Sequence, residues 1–183
     1  MGVAIARAAP EAAHPGEPSP PPGVTRVIGI AEMVVSPDPG EVLVTYALGS
    51  CLGVAAHDPV AGVGGLIHLM LPDSTIDAVR ARDHPLMFVD TGVPRLFRAL
   101  YGIGADKRRL VVTVAGGASA TSDGADRFQI GKRNWQMLRK LFWRNGVLVH
   151  AHDVGGVQTS RTMSLHVGTG VVQLRIGGRL LPL

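Results

Sequence analysis

The sequence predicts a mixed α/β sandwich that is rich in strands and has two main helices. Short β-branched runs, bounded by glycine and proline, recur from residue 24 onward and indicate strands. Two longer segments instead repeat apolar residues at helical spacing. The strands outnumber the helices, whereas a doubly wound sheet alternates one with the other. With 183 residues, the chain has the length of one domain, which we place at residues 24–183.

Seven strands are expected from the β-branched runs. The first ends at Gly49-Ser50, the second at Asp58-Pro59, and Pro72 stops the third. The fourth ends in Gly116-Gly117, and the last two are expected to pair as a hairpin. The expected strands are residues 41–48, 52–57, 64–71, 110–115, 147–152, 162–167 and 171–176.

Two helices are expected from apolar spacing. The first has a stop signal at Gly102, and its apolar stripe is Val89, Val93, Leu96, Phe97 and Leu100. For the second, Asn134 is the expected N-cap, because its side chain can accept a bond from a free backbone N–H. Gly146 suits the position after its last turn. The residues expected to face the core are Trp135, Leu138, Leu141 and Phe142.

The first 23 residues are set apart from the rest by composition. Residues 1–23 hold six prolines and are expected to form a disordered Ala/Pro-rich tail outside the fold. The whole chain is 46% hydrophobic and 17% charged, which suits a buried core. No apolar run approaches the roughly 20 residues that cross a bilayer, and the N-terminus lacks a signal-peptide stretch. A cytoplasmic protein without membrane insertion is therefore expected.

Cysteine count and charge narrow the function classes. The single cysteine, Cys51, cannot form an internal disulfide or a multi-thiolate metal site. The formal charge of +4 favours an acidic partner surface of unspecified kind. Aromatic residues make up only 4%, so a stacking platform for nucleic acid is not indicated. The basic run Lys107-Arg108-Arg109 is too short to change that expectation.

The candidate site is centred on Cys51. This residue follows a strand through the small pair Gly49-Ser50, a turn that can expose a nucleophile and nearby backbone N–H groups. A cysteine needs a base, and pairing of the next two strands would bring His68 beside it. Thr45, on the preceding strand, can offer an oxygen that orients the histidine. Ser50 is a weaker rival nucleophile, and Cys51 is expected to react with iodoacetamide faster than a free thiol.

Several separated motifs resemble one protein family. They begin with Thr45-Tyr-Ala-Leu-Gly-Ser-Cys51 and continue through His57-Asp58-Pro59, Gly64-Gly65 and His68-Leu-Met-Leu-Pro72. Downstream blocks are Ile130-Gly-Lys-Arg-Asn134, Asp153-Val-Gly-Gly156 and Arg161-Thr162. Together they resemble the CheD family of bacterial chemoreceptor glutamine deamidases, over roughly residues 27–176. The resemblance implies a CheD-like fold.

The resemblance implies a chemistry and its partners. Cys51 would attack a receptor glutamine carboxamide, His68 would move the protons, and Thr45 would orient His68. A thioester would form and be hydrolysed to glutamate, without a metal or other cofactor. The implied substrates are methyl-accepting chemoreceptors, and some relatives also bind a CheC-type chemotaxis phosphatase.

Two alternatives stay open from the residues alone. The chain is alternatively a non-catalytic docking or regulatory partner of a CheC-type phosphatase. A metal site is the other, because His150 and His152 alternate in an expected strand and His166 lies on a later one.

Overall fold

The computed structural model describes residues 23–121 and 126–183. In chain order the strands are β1 (Thr25–Ile28), β2 (Met33–Ser36), β3 (Val42–Leu48), β4 (Leu52–Asp58), β5 (Val63–Leu69), β6 (Val111–Gly116), β7 (Ala151–Val154), β8 (Arg161–His166), β9 (Val172–Ile176) and β10 (Arg179–Pro182). The helices are α1 (Ala78–Asp83), α2 (Val89–Gly102) and α3 (Ile130–Arg144). The predicted mixed α/β sandwich is confirmed. The predicted disordered tail, apart from Gly23, lies outside the described residues.

The strands form two five-stranded sheets. The first sheet has the order β1-β3-β8-β9-β10, and the second has the order β2-β5-β4-β6-β7. Most neighbours are antiparallel, but β1 pairs with β3, and β6 with β7, in parallel. The predicted hairpin of the last two expected strands is confirmed, since β8 and β9 pair antiparallel. The strands β3, β4 and β5, which carry the candidate site, are therefore divided between the two sheets.

Two apolar cores hold these layers together. One lies between the sheets and includes Leu43, Leu66 and Met163, each fully buried. The other lies on the opposite face of the second sheet, where α2 and α3 pack. That face is covered because the apolar stripes of both helices point inward, as the spacing predicts. Burial on both faces explains why β4 and β5 read as continuous apolar runs.

The start of α3 differs from the prediction. The helix begins at Ile130, its N-cap is Gln129, and the predicted cap Asn134 lies inside it, fully buried. The side chain of Asn134 makes tertiary hydrogen bonds instead of capping bonds. The predicted end is confirmed, because Gly146 follows the last turn with a φ of 59°.

Candidate active site

Thr45 and His68 meet across the interior of the sandwich. Thr45 lies on β3 of the first sheet and His68 on β5 of the second, and both side chains are buried. The hydroxyl oxygen of Thr45 lies 2.8 Å from Nδ1 of His68. This contact joins His68, the expected base, to Thr45, the residue expected to orient it. Because the two residues belong to different sheets, the site depends on how the sheets pack against each other.

A third group determines which nitrogen of His68 carries the proton. The Thr45 hydroxyl donates its one hydrogen to the backbone carbonyl of Ile28, 2.9 Å away on β1. A carbonyl only accepts, so this hydroxyl accepts the bond from the Nδ1–H of His68. The lone pair of the neutral ring is then on Nε2. Nε2 is buried and has no hydrogen-bond partner among the described residues, so it is available to take a proton.

The β4–β5 ladder begins one residue after Cys51 and includes His68. Gly53 on β4 is opposite His68 on β5, and the last pair of that ladder is Leu52 with Leu69. Cys51 lies just before β4 and packs against the apolar core between the sheets, the side on which His68 meets Thr45. No hydrogen bond joins the thiol to His68 within the part of the chain that the structure describes; catalytic hydrogen bonds often tighten only with substrate.

Gly53 keeps the space beside His68 narrow. A Cβ atom at Gly53 would lie 2.8 Å from a methyl group of Leu48 and 2.9 Å from the sulfur of Met163. The side chains of Leu48 and Met163 therefore fill the space beside Gly53, which has no side chain of its own. The side chain of His68 is itself buried, so the imidazole has little contact with solvent.

Burial sets the charge state of the thiol and the imidazole. Cys51 is half-buried, and desolvation raises its pKa, although its own backbone N–H acts in the opposite direction. Desolvation lowers the pKa of His68. Both shifts disfavour ions, so the resting site holds a neutral thiol beside a neutral imidazole. The raised pKa argues against the expected fast reaction with iodoacetamide, and an attack by Cys51 would require a base to take the thiol proton.

A sharp change of direction presents Cys51 at the end of β3. The β3–β8 ladder is irregular between Thr45 and Leu48, and Ala47 has a left-handed φ of 58°. Bulges of this kind re-aim the residues that follow them. Beyond the bulge, the carbonyl of Gly49 accepts from the N–H of Ala118, and the carbonyl of Cys51 accepts from Gly117. The loop that carries the nucleophile is thus fixed to the end of β6.

Asn134 was missed as a site residue by sequence reasoning. Its amide donates to the backbone carbonyl of Ser50 at 2.9 Å and to that of Met70 at 3.0 Å. One acceptor precedes Cys51, and the other follows His68 by two residues. The sequence block that contains Asn134 was part of the family resemblance, but no residue pattern indicated where its side chain points.

The three histidines of the metal alternative do not come together. His152 is on β7 at the edge of the second sheet and packs against Trp135, whereas His166 is on β8 of the first sheet. His150 precedes β7 rather than lying within it. Among the described residues, no group of three or more histidine, cysteine or acidic side chains is placed to hold a metal ion.

The basic run forms a structural ion pair. Arg109 binds the buried carboxylate of Asp58 through its Nε and Nη2 atoms, at 3.0 and 2.8 Å. This pairing, with backbone donors, holds the pKa of Asp58 well below its ordinary range. Arg108 pairs with Asp106. Lys107 donates to the backbone carbonyl of Asn145, so all three basic residues have partners within the chain.

Fold and site together define a class: a two-sheet α/β domain with a buried histidine that is hydrogen-bonded to a threonine, and a free cysteine in the turn before β4. Comparison with known proteins agrees with that class. Residues 70–176 match the family described as CheD chemotactic sensory transduction. Several relatives are 37–48% identical along most of their length. The chain belongs to the CheD family.

Three relatives illustrate the extent of the similarity. A probable chemoreceptor glutamine deamidase of Solibacter usitatus is 48% identical over 153 residues, 84% of this chain and 89% of the relative. One of Syntrophus aciditrophicus is 47% identical over 83% of this chain and 94% of its own. One of Anaeromyxobacter dehalogenans is 42% identical over 85% and 97%. A segment of 153 residues in this chain necessarily includes Thr45, Cys51 and His68.

In the described part of the chain, no helix is both long enough and apolar enough to cross a bilayer.

Proposed function

We propose that this chain is a protein-glutamine deamidase that acts on methyl-accepting chemoreceptors in chemotaxis. The observation that carries the proposal is the Ile28–Thr45–His68 hydrogen-bond chain, which leaves Nε2 of His68 unprotonated and without a hydrogen-bond partner among the described residues. The names of the relatives, probable chemoreceptor glutamine deamidases, supply the reaction and the substrate.

The first half of the proposed reaction forms a thioester. The sulfur of Cys51 attacks the side-chain carboxamide carbon of a glutamine as its proton passes to Nε2 of His68. The tetrahedral intermediate then breaks its C–N bond. The nitrogen takes the proton back from Nε2 and leaves as ammonia, and the glutamyl group remains on sulfur.

The second half releases the product. His68 removes a proton from a water molecule, the water oxygen attacks the thioester carbon, and the C–S bond breaks. The thiolate of Cys51 regains its proton from His68, and the substrate now carries glutamate. Thr45 keeps Nδ1 protonated through both halves, so a single nitrogen does all the proton transfer. Every bond change is accounted for by the chain's own residues, the substrate and water.

The test is mass spectrometry of receptor cytoplasmic fragments before and after incubation with the enzyme. A gain of about one dalton at a glutamine, with ammonia release, is expected from the wild type. Cys51→Ala should lower the rate at least about 10³-fold, as loss of a nucleophile does in other hydrolases. Ser50→Ala, which removes the rival nucleophile, should retain most of the turnover. Equal ammonia release by the wild type and Cys51→Ala would refute the proposal.

The CheC-type partner and the cytoplasmic location remain predictions that accompany this proposal. Binding of a purified CheC-type phosphatase tests the first, and cell fractionation tests the second. Phosphatase binding without any receptor deamidation by the wild type would instead favour the non-catalytic docking alternative.

A further inference from the structure

The β4–β5 ladder includes His68, opposite Gly53, but ends one residue short of Cys51. Its last pair is Leu52 with Leu69, so the next pair in register would be Cys51 with Met70. The chains diverge there instead. The carbonyl of Cys51 accepts from Gly117, whereas the N–H of Met70 donates to Met87.

Asn134 bridges this gap from a third element. Its side-chain NH₂ group donates one hydrogen to the Ser50 carbonyl and the other to the Met70 carbonyl. Both partners are acceptors, so the nitrogen of the amide is the atom that faces them. One side chain of α3 therefore ties the segment of the nucleophile to the segment of the base.

The remaining atom of the amide is left without a partner. Oδ1 of Asn134 is buried and has no hydrogen-bond partner among the described residues. An unpaired buried acceptor costs stability, and an apolar side chain of similar shape would avoid that cost. The presence of asparagine here is explained by its two donors, since groups that oppose stability concentrate at functional sites.

We propose that Asn134 is a positioning residue for the Cys51–His68 pair. It holds the carbonyls of Ser50 and Met70 at a fixed separation and thereby holds the thiol within reach of Nε2. Small misplacements of reacting groups are costly, since a shift of about 1 Å can lower a rate about 10²-fold. As a statement about deamidation it rests on the proposed function, but the pairing itself can be tested without any substrate.

We call the two hydrogen bonds from Asn134 to the Ser50 and Met70 carbonyls the clamp, and two variants change it. Asn134→Leu removes both donors and keeps a similar shape, and Asn134→Ser is smaller and keeps one hydroxyl donor. Asn145 supplies the matched control, because it lies just after the same helix and its amide donates to Leu141, away from the site. Asn145→Leu thus removes an amide–carbonyl bond without touching the clamp.

The substrate-free readout is the alkylation rate of Cys51 at pH 7. His68→Gln should slow alkylation because the thiol loses its base, and Asn134→Leu should slow it by a similar factor. The double variant should be no slower than His68→Gln, since both changes break the same pairing. Asn145→Leu should alkylate at the wild-type rate. A folded Asn134→Leu that alkylates at the wild-type rate, or a double variant that multiplies the two losses, would overturn the proposal.

The second readout is turnover. Asn134→Leu should lower kcat about 10²-fold with KM unchanged, because positioning acts on the reacting atoms. If Asn134→Leu does not fold, Asn134→Ser carries both readouts with the same interpretation, at a smaller loss. The losses in alkylation rate caused by Asn134→Leu and His68→Gln could prove to be coupled while the wild type shows no deamidation. That result would refute the proposed function and leave the clamp supported. Deamidation with uncoupled alkylation would refute the clamp alone.

Discussion

Thr45 has one hydroxyl hydrogen, and its use decides the tautomer of His68. The bond to the Ile28 carbonyl forces the hydroxyl to accept from Nδ1. Thr45→Val keeps the side-chain shape but leaves the Ile28 carbonyl and the Nδ1–H of His68 without a hydrogen-bond partner. Deamidation should then fall about 10²-fold, because the proton is no longer held on the correct nitrogen.

The matched control for that change is Thr91→Val. Like Thr45, Thr91 donates from its hydroxyl to a backbone carbonyl, that of Pro85. Its side chain is half-buried, and it lies on α2 away from the site. Its turnover should stay close to the wild-type value, and Thr45→Ser should recover most of the activity. Similar losses in Thr45→Val and Thr91→Val, measured as initial rates on one receptor fragment, would show that the Thr45 hydroxyl has no special role.

The lowered pKa of His68 predicts the pH dependence of turnover. The base must be neutral, and its pKa in the folded protein lies below the ordinary value of about 6.5. The acid limb of kcat/KM should therefore lie below pH 6.5. A profile that already loses half its activity above that pH would contradict the buried imidazole.

The same shift makes stability depend on pH. Above about pH 6.5 the imidazole is neutral in both the folded and the unfolded chain, so it adds no pH dependence. As the pH falls below this value, the unfolded chain binds the proton first. The free energy of unfolding should then decrease until the folded-state pKa of His68 is reached. Urea unfolding of the wild type and His68→Gln across this range checks this, since the variant should lack that contribution.

The raised pKa of Cys51 predicts its reactivity. At pH 7 the thiol should react with iodoacetamide more slowly than free cysteine, and the rate should rise with pH. Alkylation faster than free cysteine at pH 7 would restore the expectation from sequence and show that the thiol is already ionised.

At the scale of elements, the sequence predicts long apolar runs well and short or tertiary features poorly. Apolar runs predicted β4 and β5 because burial on both faces requires them. The four-residue strands β1, β2 and β10 have too few residues for a pattern. Asparagine is among the best N-caps, so Asn134 marked a helix start. Its amide serves a tertiary contact instead, and no local rule reports that.

The meeting of Thr45 with His68 was beyond local reasoning for a related reason. β3 and β5 belong to different sheets, so their contact depends on how the sheets stack. Adjacent-strand pairing predicted only that His68 would come beside Cys51. The position of Thr45 on the strand before Cys51 suggested its orienting role, which the family resemblance also implies, and the structure adds the Ile28 carbonyl that takes the hydroxyl hydrogen.

The approach of α3 to the site depends on a glycine. A Cβ atom at Gly131 would lie 2.4 Å from the carbonyl oxygen of Ala118 and 2.5 Å from that of Gly117. Gly131→Ala should therefore push the first turn of α3 away and destabilise the protein by about 1–3 kcal/mol. Gly102→Ala is the control, because nothing lies within 4 Å of its added Cβ. Chemical denaturation that shows equal stability for the two variants would contradict this close packing.

At the scale of the whole molecule, the site is distributed over both layers. Thr45 and Ile28 come from the first sheet, His68 from the second, Cys51 from the turn that joins β3 to β4, and Asn134 from a helix packed on the second sheet. Catalytic geometry therefore requires both apolar cores to be intact. Activity and the near-ultraviolet circular dichroism signal of tertiary packing should be lost together on heating.

The same distribution argues that the described body is sufficient for function. Both sheets, both cores and every residue of the proposed site lie in residues 23–121 and 126–183. Deletion of residues 1–22 should therefore change Tm by less than about 2 °C, since a loss of 1 kcal/mol shifts Tm by about 2–4 °C at this chain length. Turnover on a receptor fragment should match that of the full chain. A larger fall in Tm, measured by calorimetry on both proteins, would mean that the N-terminal segment contributes to the folded core and that the domain boundary predicted near residue 24 is misplaced.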